Sequence, residues 1–459
     1  MNKAYLSIFL YLVTPALLRA EVKPHALFSN GAVLQRGCVV PVWGSAADGE
    51  KVTVKFAEQE VSAVASNGQW MVRLRPMRAN AVPQVMTIAG ANTVEIKNVL
   101  VGDVWVCSGQ SNMQFEMHWL TDSAKQIALA NDPLLRLLGV PQGGATQPKR
   151  DITASWSECT SQSVEWFSAV AYFFGRDVRL SQKVPVGLIN SRVGGTAAES
   201  WLSWRALAAN PKLQQIAGKE PVEGGASFLY NAMIAPLQPF AISGVIWYQG
   251  ESNAYDASRA TVYRELFPTL IKCWRDDWGL PELPFLFVQI APHNDMVPEI
   301  RESQLLTWQQ TAKTAMAVIT DCGHATDIHP KPKEPVGARL ALAARAVAYG
   351  ERVEYSGPVF AGMKVRGGKA TLSFTHVGGG LVAKDGALKG FTIAGSDNKF
   401  IPAEAVISGS TVIVSSKEVT QPVAVRYGWA NVPDVNLFNK DGLPATPFRT
   451  DCVKGVTEK

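Results

Sequence analysis

The fold of this chain is decided by one stretch, Val104-Trp105-Val106-Cys107-Ser108-Gly109-Gln110-Ser111-Asn112-Met113. Apolar residues of β-strand type lead into small residues, and a serine flanked by amide side chains follows. A buried strand that ends in this way places Ser111 at the carboxyl edge of a sheet, where open α/β sheets bind ligands. The N–H of Ser111 then lies at a helix start, where unpaired N–H groups bind anions. The stretch predicts either a nucleophilic serine or a serine that caps a helix.

Around this stretch, from residue 99 to residue 350, strand patterns alternate with helix patterns. The predicted strands are Val104–Cys107, Leu135–Val140, Val186–Asn190, Gly244–Tyr248, Phe285–Ile290 and Ala317–Asp321. The predicted helices are Ser163–Leu180, Thr261–Trp274, Arg301–Lys313 and Pro335–Tyr349. The strands are almost continuously apolar, as expected for strands that are covered on both faces. This alternation predicts the α/β class, with a parallel sheet between two layers of helices.

All-β patterns flank the α/β region on both sides. Residues 21–98 contain short β-rich runs separated by turns such as Asn67-Gly68, which is typical of a small β-sandwich-like domain. Residues 351–459 again contain short strand patterns, with the turn Gly378-Gly379-Gly380 between two of them. The sequence thus predicts an N-terminal β domain at 21–98, a catalytic domain at 99–350 and a C-terminal β domain at 351–459.

The first 20 residues have the layout of a secretory signal peptide. Lys3 precedes an apolar run from Ala4 to Leu18, and the small residue Ala20 precedes Glu21. The run is short for a helix that spans a bilayer, and no later stretch is long and apolar enough to do so. We therefore expect an exported protein, periplasmic or secreted, without a membrane span.

Composition excludes several other classes of protein. The apolar content of 47% and the charged content of 18% are those of a packed globular chain. Removal of Lys3 and Arg19 lowers the formal charge from +5 to about +3, and no basic run is interleaved with aromatic residues, so nucleic acid is not an expected partner. The six cysteines are scattered without a Cys-x-x-Cys pair, which argues against a zinc site. No pattern specifies an oligomeric state.

Polar motifs follow two more of the predicted strands. After Asn190 the sequence continues Ser191-Arg192-Val193-Gly194-Gly195-Thr196, and a Gly-Gly pair at such a turn lets backbone N–H groups approach a ligand closely. After Tyr248 it continues Gln249-Gly250-Glu251-Ser252-Asn253, where a neutral amide side chain could donate to a developing oxyanion. Taken singly, each motif is equally well explained as a polar turn.

A histidine follows the last predicted strand at the same edge of the sheet. Asp327-Ile328-His329 supplies an imidazole and a carboxylate within one loop. A serine nucleophile needs the imidazole to accept its proton, and the carboxylate to orient and stabilise that imidazole. The four strand-end motifs occur in the order that such a site requires.

The ordered set Gly109-Gln110-Ser111-Asn112-Met113, Gly194-Gly195-Thr196, Trp247 to Asn253 and Asp327-Ile328-His329-Pro330 resembles the sialate O-acetylesterase family. That family belongs to the SGNH, or GDSL-like, hydrolases. The resemblance covers nearly the whole mature chain, including both flanking β domains. It implies a three-layer SGNH-hydrolase-like domain and a serine carboxylic-ester hydrolase that releases acetate from a sugar without a cofactor or a metal.

The resemblance also implies roles for individual residues. Ser111 corresponds to the nucleophile and His329 to the general base. The oxyanion hole would combine the N–H of Ser111 with that of Gly194 or Gly195. A third donor would come from Gln249, or alternatively from Asn253.

The triad acid departs from the general SGNH pattern. That pattern places an aspartate three residues before the histidine, where this chain has Thr326. Asp327 is one place closer and is the candidate acid. Asp321 or a backbone carbonyl group is the alternative group that would orient His329.

The substrate is expected to be an O-acetylated sugar. The carboxylate of a sialic acid is naturally bound by a guanidinium group, and Arg192 and Arg301 follow strand-like segments as candidates. Glu251 is expected to contact the substrate or to order the site. Acetylated xylan or another glycan is the alternative substrate, and a non-catalytic carbohydrate-binding protein is the alternative class.

Overall fold

The computed structural model describes residues 21–451. The predicted signal peptide at 1–20, Cys452 and the final residues lie outside the described part of the chain. Within residues 21–451, no helix combines the length and the apolar character needed to cross a membrane.

The N-terminal region is built of eight strands. They are β1 (Lys23–Pro24), β2 (Val33–Gln35), β3 (Val40–Ser45), β4 (Lys51–Phe56), β5 (Gln59–Val64), β6 (Gln69–Leu74), β7 (Asn80–Ala89) and β8 (Thr93–Gly109). Strands β1, β3 and β6 form one antiparallel sheet, and β5, β4, β7 and β8 are hydrogen-bonded in that order. Alternating residues such as Val52, Val54 and Phe56 are buried, as a half-buried strand requires.

Strand β8 connects this region to the central sheet. Its 17 residues pair with β7 in their first part and with two parallel neighbours from Asp103 to Gly109. The predicted boundary between residues 98 and 99 thus falls inside one continuous strand. The division into domains stays a prediction, and the strand itself gives Ser111 a rigid support.

The central sheet adds β9 (Asp132–Gly139), β10 (Ser157–Cys159), β11 (Val186–Arg192), β12 (Gly244–Tyr248), β13 (Phe285–Val288) and β14 (Thr314–Ala317). The strand order is β10-β9-β11-β8-β12-β13-β14. All neighbours from β9 to β14 in this order are parallel, and β10 is antiparallel to β9. The carboxyl ends of the parallel strands therefore meet at one edge.

Helices cover both faces of this sheet. They are α1 (Ser111–Gln114), α2 (Ser123–Leu129), α3 (Ser161–Val164), α4 (Ala169–Gln182), α5 (Trp204–Ala209), α6 (Gln214–Ala217), α7 (Ala257–Trp278), α8 (Pro298–Gln310) and α9 (Glu334–Val347). Helices α4 and α9 share one buried apolar cluster with Trp105, while α7 and α8 pack against the other face with Trp247. Side chains of Ser168 and Asp256 cap the first turns of α4 and α7.

Between residues 351 and 451 the C-terminal region forms strands and no helix. They are β15 (Val359–Arg366), β16 (Lys369–Thr375), β17 (Leu381–Ala383), β18 (Phe391–Ala394), β19 (Ile401–Pro402), β20 (Glu404–Ser408), β21 (Thr411–Ser415), β22 (Ala424–Tyr427), β23 (Leu437–Asn439) and β24 (Phe448–Arg449). They form three small antiparallel sheets around their own apolar core, which includes Leu372, Val412 and Tyr427.

Two details of the predicted sheet were wrong. The sheet is mixed, because β10 is antiparallel to β9 and β7 is antiparallel to the first part of β8. The last strand is Thr314–Ala317, so the predicted strand Ala317–Asp321 overlaps it only at Ala317. Val318 and Ile319 are buried beyond the strand end, so their apolar character does not distinguish a strand from a buried loop.

Candidate active site

Ser111 lies at the carboxyl edge of the central sheet, directly after β8. The preceding Gly109 has φ of 142°, and a Cβ atom there would lie 2.1 Å from the carbonyl oxygen of Tyr248. Only glycine fits at this point, because the chain turns sharply against the neighbouring strand. Ser111 is the first residue of the short helix α1, and its side chain is partly exposed. The structure thus places Ser111 at a strand tip, as the sequence predicts.

Gly194 packs directly against this serine. A Cβ atom on Gly194 would lie 3.3 Å from the Cβ of Ser111, whereas a Cβ atom on Gly195 would meet no atom within 4 Å. Of the two candidate glycines, the structure thus brings Gly194 to the serine. Its N–H donates a hydrogen bond of 2.8 Å to Oε1 of Gln114, so an amide oxygen already occupies this donor.

The loop that carries His329 is tied to the serine loop through neighbouring residues. Asn112 donates a 2.9 Å hydrogen bond to the carbonyl oxygen of Ile328. Within residues 21–451, no hydrogen bond joins the Ser111 hydroxyl directly to the His329 imidazole. Partial burial and the nearby cation of Lys333 lower the pKa of His329 below 6.5. The imidazole is therefore neutral, as a general base must be, at neutral pH.

The carboxylates predicted to orient His329 make other contacts. Oδ1 of Asp327 accepts the backbone N–H of His329 at 2.9 Å, so it holds the loop and not the imidazole ring. Asp321 forms a two-fold ion pair with Arg339, with both N–O distances 2.6 Å. This geometry argues against Asp321 as the orienting acid. Asp327 remains the candidate acid, because its charge favours the protonated form of His329.

Gln249 and Asn253 are both buried and hold the turn that carries Gly194. Gln249 donates to Oδ1 of Asn253 at 2.7 Å and to the carbonyl oxygen of Thr196 at 3.2 Å, and its own Oε1 accepts from Tyr263. Asn253 donates to Glu199 at 3.0 Å. Both N–H groups of Gln249 already donate hydrogen bonds within the protein, which argues against this residue as a free oxyanion donor.

Three buried polar side chains lie beneath Ser111, and sequence reasoning gave a role to only one of them. Asn112 donates to Oε1 of Glu251 at 2.6 Å and accepts from Nζ of Lys333 at 2.5 Å. Burial raises the pKa of Glu251 and lowers the pKa of Lys333 to about 7. Glu251 is only 2% exposed, so it orders the site and does not face an incoming substrate. Lys333 carries no sequence signal beyond its position four residues after His329.

Arg192 lies at the edge of the site. It ends β11 opposite Gly109 of β8, and its Nη2 lies 3.5 Å from Oε1 of Glu116. The guanidinium is largely buried, with 14% of the side chain exposed. Arg192 is thus the predicted arginine that lies beside the serine loop.

Arg301 lies in the interior, away from solvent. Its side chain is fully buried in α8 and donates to the backbone carbonyl oxygens of Ala430 and Asn431 in the C-terminal region. Burial lowers its pKa to about 10. This placement argues against the predicted contact with a substrate, because no part of the side chain reaches solvent.

Exposed aromatic rings border the site beyond α1. Trp166 is 62% exposed and Trp119 is 41% exposed, and the ring of His118 lies between them at 4.3 and 5.3 Å. Phe115 joins this group to the His329 loop, because it contacts Trp119 and lies 5.1 Å from Nζ of Lys331. Exposed rings of this kind offer flat apolar faces next to polar groups.

The cysteines of the described residues form no disulfide. Five thiols of the described residues are free, and Cys107 and Cys322 are among the buried ones. In residues 21–451 no cluster of three or more His, Cys, Asp or Glu side chains has the geometry of a metal site.

Comparisons with known proteins identify the class of this chain. A family model described as carbohydrate esterase, sialic acid-specific acetylesterase, matches residues 101–345. Human sialate O-acetylesterase is 34% identical, with 96% of each chain covered, and the rat protein is 33% identical, with 91% of this chain and 92% of the rat chain covered. A crystal structure of a carbohydrate acetylesterase from Xanthomonas citri is 43% identical and superposes with a TM-score of 0.88 over 94% of this chain and 100% of the other.

These matches and the fold define a serine carboxylic-ester hydrolase. The chain belongs to the sialic acid-specific acetylesterase family of carbohydrate esterases. The predicted resemblance and the α/β class are thereby confirmed, and the alternative of a non-catalytic binding protein is set aside.

Proposed function

We propose that this protein removes O-acetyl groups from sialic acids through an acyl-enzyme formed on Ser111. The observation that carries the proposal is the packing of Gly194 and of the His329 loop around one strand-end serine. The relatives named sialate O-acetylesterase and the carbohydrate acetylesterase support the acetylated sugar as substrate.

The reaction has two steps. His329 accepts the proton of Ser111 while the serine oxygen attacks the acetyl carbonyl, and the N–H groups of Ser111 and Gly194 stabilise the oxyanion. His329 then protonates the sugar oxygen, which leaves as an alcohol. Water, deprotonated by the same imidazole, attacks the acetyl-serine, acetate is released, and His329 returns the proton to the oxygen of Ser111. The N–H of Gly194 becomes available when the Gln114 side chain turns away from it.

Acetate release tests the proposal. The protein that begins at Glu21 should release acetate from O-acetylated sialic acid, and Ser111→Ala should lose about 10³-fold or more in kcat. Ser123→Ala is the matched control, because Ser123 is also the first residue of a short helix and should retain full activity. Equal rates for Ser111→Ala and the wild type would reject the proposed nucleophile.

Arg192 supports sialic acid over a neutral glycan. A guanidinium beside the serine loop suits a carboxylate, although it must exchange part of its contact with Glu116 for the substrate. Arg192→Lys should lower kcat/KM about 10-fold or more on acetylated sialic acid and leave the rate on acetylated xylan unchanged. Preference of the wild type for acetylated xylan would favour the alternative substrate.

The same proposal includes export. Residues 1–20 have the pattern of a cleaved signal, with cleavage expected between Ala20 and Glu21. Mass spectrometry of the protein from periplasmic and culture fractions should find an N-terminus at Glu21. A protein that retains residues 1–20 in the cytoplasm would contradict this part of the proposal.

A further inference from the structure

One amide side chain joins the two loops of the active site. Both N–H groups of Asn112 are used, one by Oε1 of Glu251 at 2.6 Å and one by the carbonyl oxygen of Ile328 at 2.9 Å. Its oxygen accepts from Nζ of Lys333 at 2.5 Å. We call this set of contacts the Asn112 joint. Because Ser111 precedes Asn112 and His329 follows Ile328, the joint sets the position of the serine relative to the histidine.

Lys333 is an unusual component of the joint. It is 1% exposed, and its Nζ lies 4.6 Å from the ring centre of Phe115 and 5.5 Å from that of Tyr248. No carboxylate of the described residues lies within ion-pair distance of Nζ, and Asn112 stands between it and Glu251. A buried ammonium group without a direct counterion is costly, and such groups occur most often at functional sites.

We propose that Lys333 is a positioning residue of the esterase, which fixes the serine loop against the histidine loop through Asn112 and whose buried cation disfavours a second positive charge on His329. The proposal rests on the acyl-enzyme mechanism above and adds a residue to it. Lys333 does not touch the substrate in this arrangement, since its side chain is buried. Its effect on the reaction passes through Asn112 and through the electric field at the imidazole.

The charged groups near His329 and near Lys333 define how Lys333 affects the protonation of His329. His329 faces Lys333, Asp327 and Lys331 from its own loop, and His293 from the loop after β13. Of the two lysines, Lys331 is exposed and its field is screened by water and salt, whereas Lys333 is buried.

Lys333 itself faces Glu251 after β12, Cys322 after β14, and Asp327 and Lys331 in its own loop. The ring of Tyr248, which carries a hydroxyl group, also lies close to Nζ of Lys333. Among these groups Glu251 is the buried carboxylate that favours the charged form of Lys333.

A buried cation near the base has a definite consequence for the reaction. Below about pH 7, where Lys333 carries its charge, this cation keeps His329 unprotonated to lower pH and makes the imidazolium formed during the reaction a stronger acid toward the leaving sugar oxygen. Loss of the cation should therefore move the acid limb of kcat/KM to higher pH. Loss of the joint should lower the rate at every pH, because the serine and the histidine are no longer held together.

The pH dependence of kcat/KM for acetate release from 4-nitrophenyl acetate separates these effects. Lys333→Met should raise the midpoint of the acid limb by about half a pH unit or more and lower the plateau of kcat about 10-fold. Lys333→Arg keeps the cation and should leave the midpoint within about 0.2 units of wild type. Lys331→Met, which removes the exposed charge of the same loop, is the matched control and should change neither the midpoint nor the plateau by a comparable amount.

A lower plateau with an unchanged acid limb in Lys333→Met would overturn the proposal and leave Lys333 a structural residue. An equal shift in Lys331→Met would also overturn it. If circular dichroism shows that Lys333→Met is unfolded, Lys333→Gln provides the same test, because it removes the charge and keeps a hydrogen-bond donor. Ser111→Ala, assayed in parallel, distinguishes the two proposals. Full activity in Ser111→Ala rejects the mechanism itself. Loss of activity in Ser111→Ala, together with an unmoved acid limb in Lys333→Met, rejects only the role of Lys333.

Discussion

A Cβ atom placed on Gly194 would lie 3.3 Å from the Cβ atom of Ser111, so this glycine backbone packs directly against the predicted nucleophile. Gly195 differs from its neighbour, because it has φ of 70° and open space where its Cβ would be. Gly194 thus leaves room beside the serine, whereas Gly195 allows the chain to turn. The two adjacent glycines are required for different physical reasons.

Alanine substitutions separate these two roles. Gly194→Ala should lower kcat/KM about 10- to 100-fold, because the new methyl group displaces Ser111 and the oxyanion donor. Gly195→Ala should keep most of the activity and lower the free energy of unfolding by about 1–2 kcal/mol, since a left-handed conformation is unfavourable for alanine. Acetate release and urea unfolding measure the two effects. Wild-type activity in Gly194→Ala would show that this glycine does not border the reacting serine.

The activity of the wild-type protein should persist below the usual titration range of histidine. Burial, followed by the cation of Lys333, lowers the pKa of His329 below 6.5. A general base works in its neutral form, so kcat/KM should be on its plateau above this lowered pKa and fall only as the pH drops through it. A profile of kcat/KM from pH 4 to pH 8 should have its acid midpoint below about 6.5. A midpoint above that value would contradict the burial and field described for this imidazole.

Arg301 should matter for stability and not for substrate binding. Arg301→Met removes the charged donor from two buried carbonyl oxygens and should lower the free energy of unfolding by about 2 kcal/mol. The KM for acetylated sialic acid should stay at the wild-type value, because the side chain has no access to solvent. Arg345→Met is the matched control, since Arg345 makes a partly exposed ion pair with Glu351 and its loss should cost less than about 1 kcal/mol. A raised KM with unchanged stability would restore the substrate-binding role.

The exposed tryptophan at the border of the site should affect large substrates more than small ones. Trp166→Ala removes an apolar face that is 62% exposed and should raise the KM for an acetylated sialoglycan about 5- to 10-fold. The rate on 4-nitrophenyl acetate should not change, because that ester is too small to reach beyond the serine. The ratio of the two kcat/KM values is the measurement. An equal loss on both substrates would indicate a disturbance of α1 and not a lost contact with sugar.

The order and type of the central elements could be predicted from the sequence because hydrophobic periodicity is local. Strand β12 was predicted with its observed bounds, and the helix predicted at Thr261–Trp274 is the core of α7. The ends of elements were less well defined. Strand β8 extends far beyond the predicted Val104–Cys107, because its first part pairs with β7 and β2 from the N-terminal region.

The features of the site also divide into those that could be predicted from the sequence and those that depend on the tertiary structure. A serine at a strand tip, a Gly-Gly turn and a histidine loop at the same edge follow from strand ends alone, and the sequence by itself therefore determined the class of chemistry. Only the tertiary structure decided which polar groups are free to act. Asn112 and Ile328 are 216 residues apart, and neither Lys333 nor Gln249 has a local pattern that reveals its partners. Burial and hydrogen-bond satisfaction depend on groups brought together from distant parts of the chain, so they placed Arg301 in the interior, committed the amide of Gln249 and put Lys333 beneath the serine.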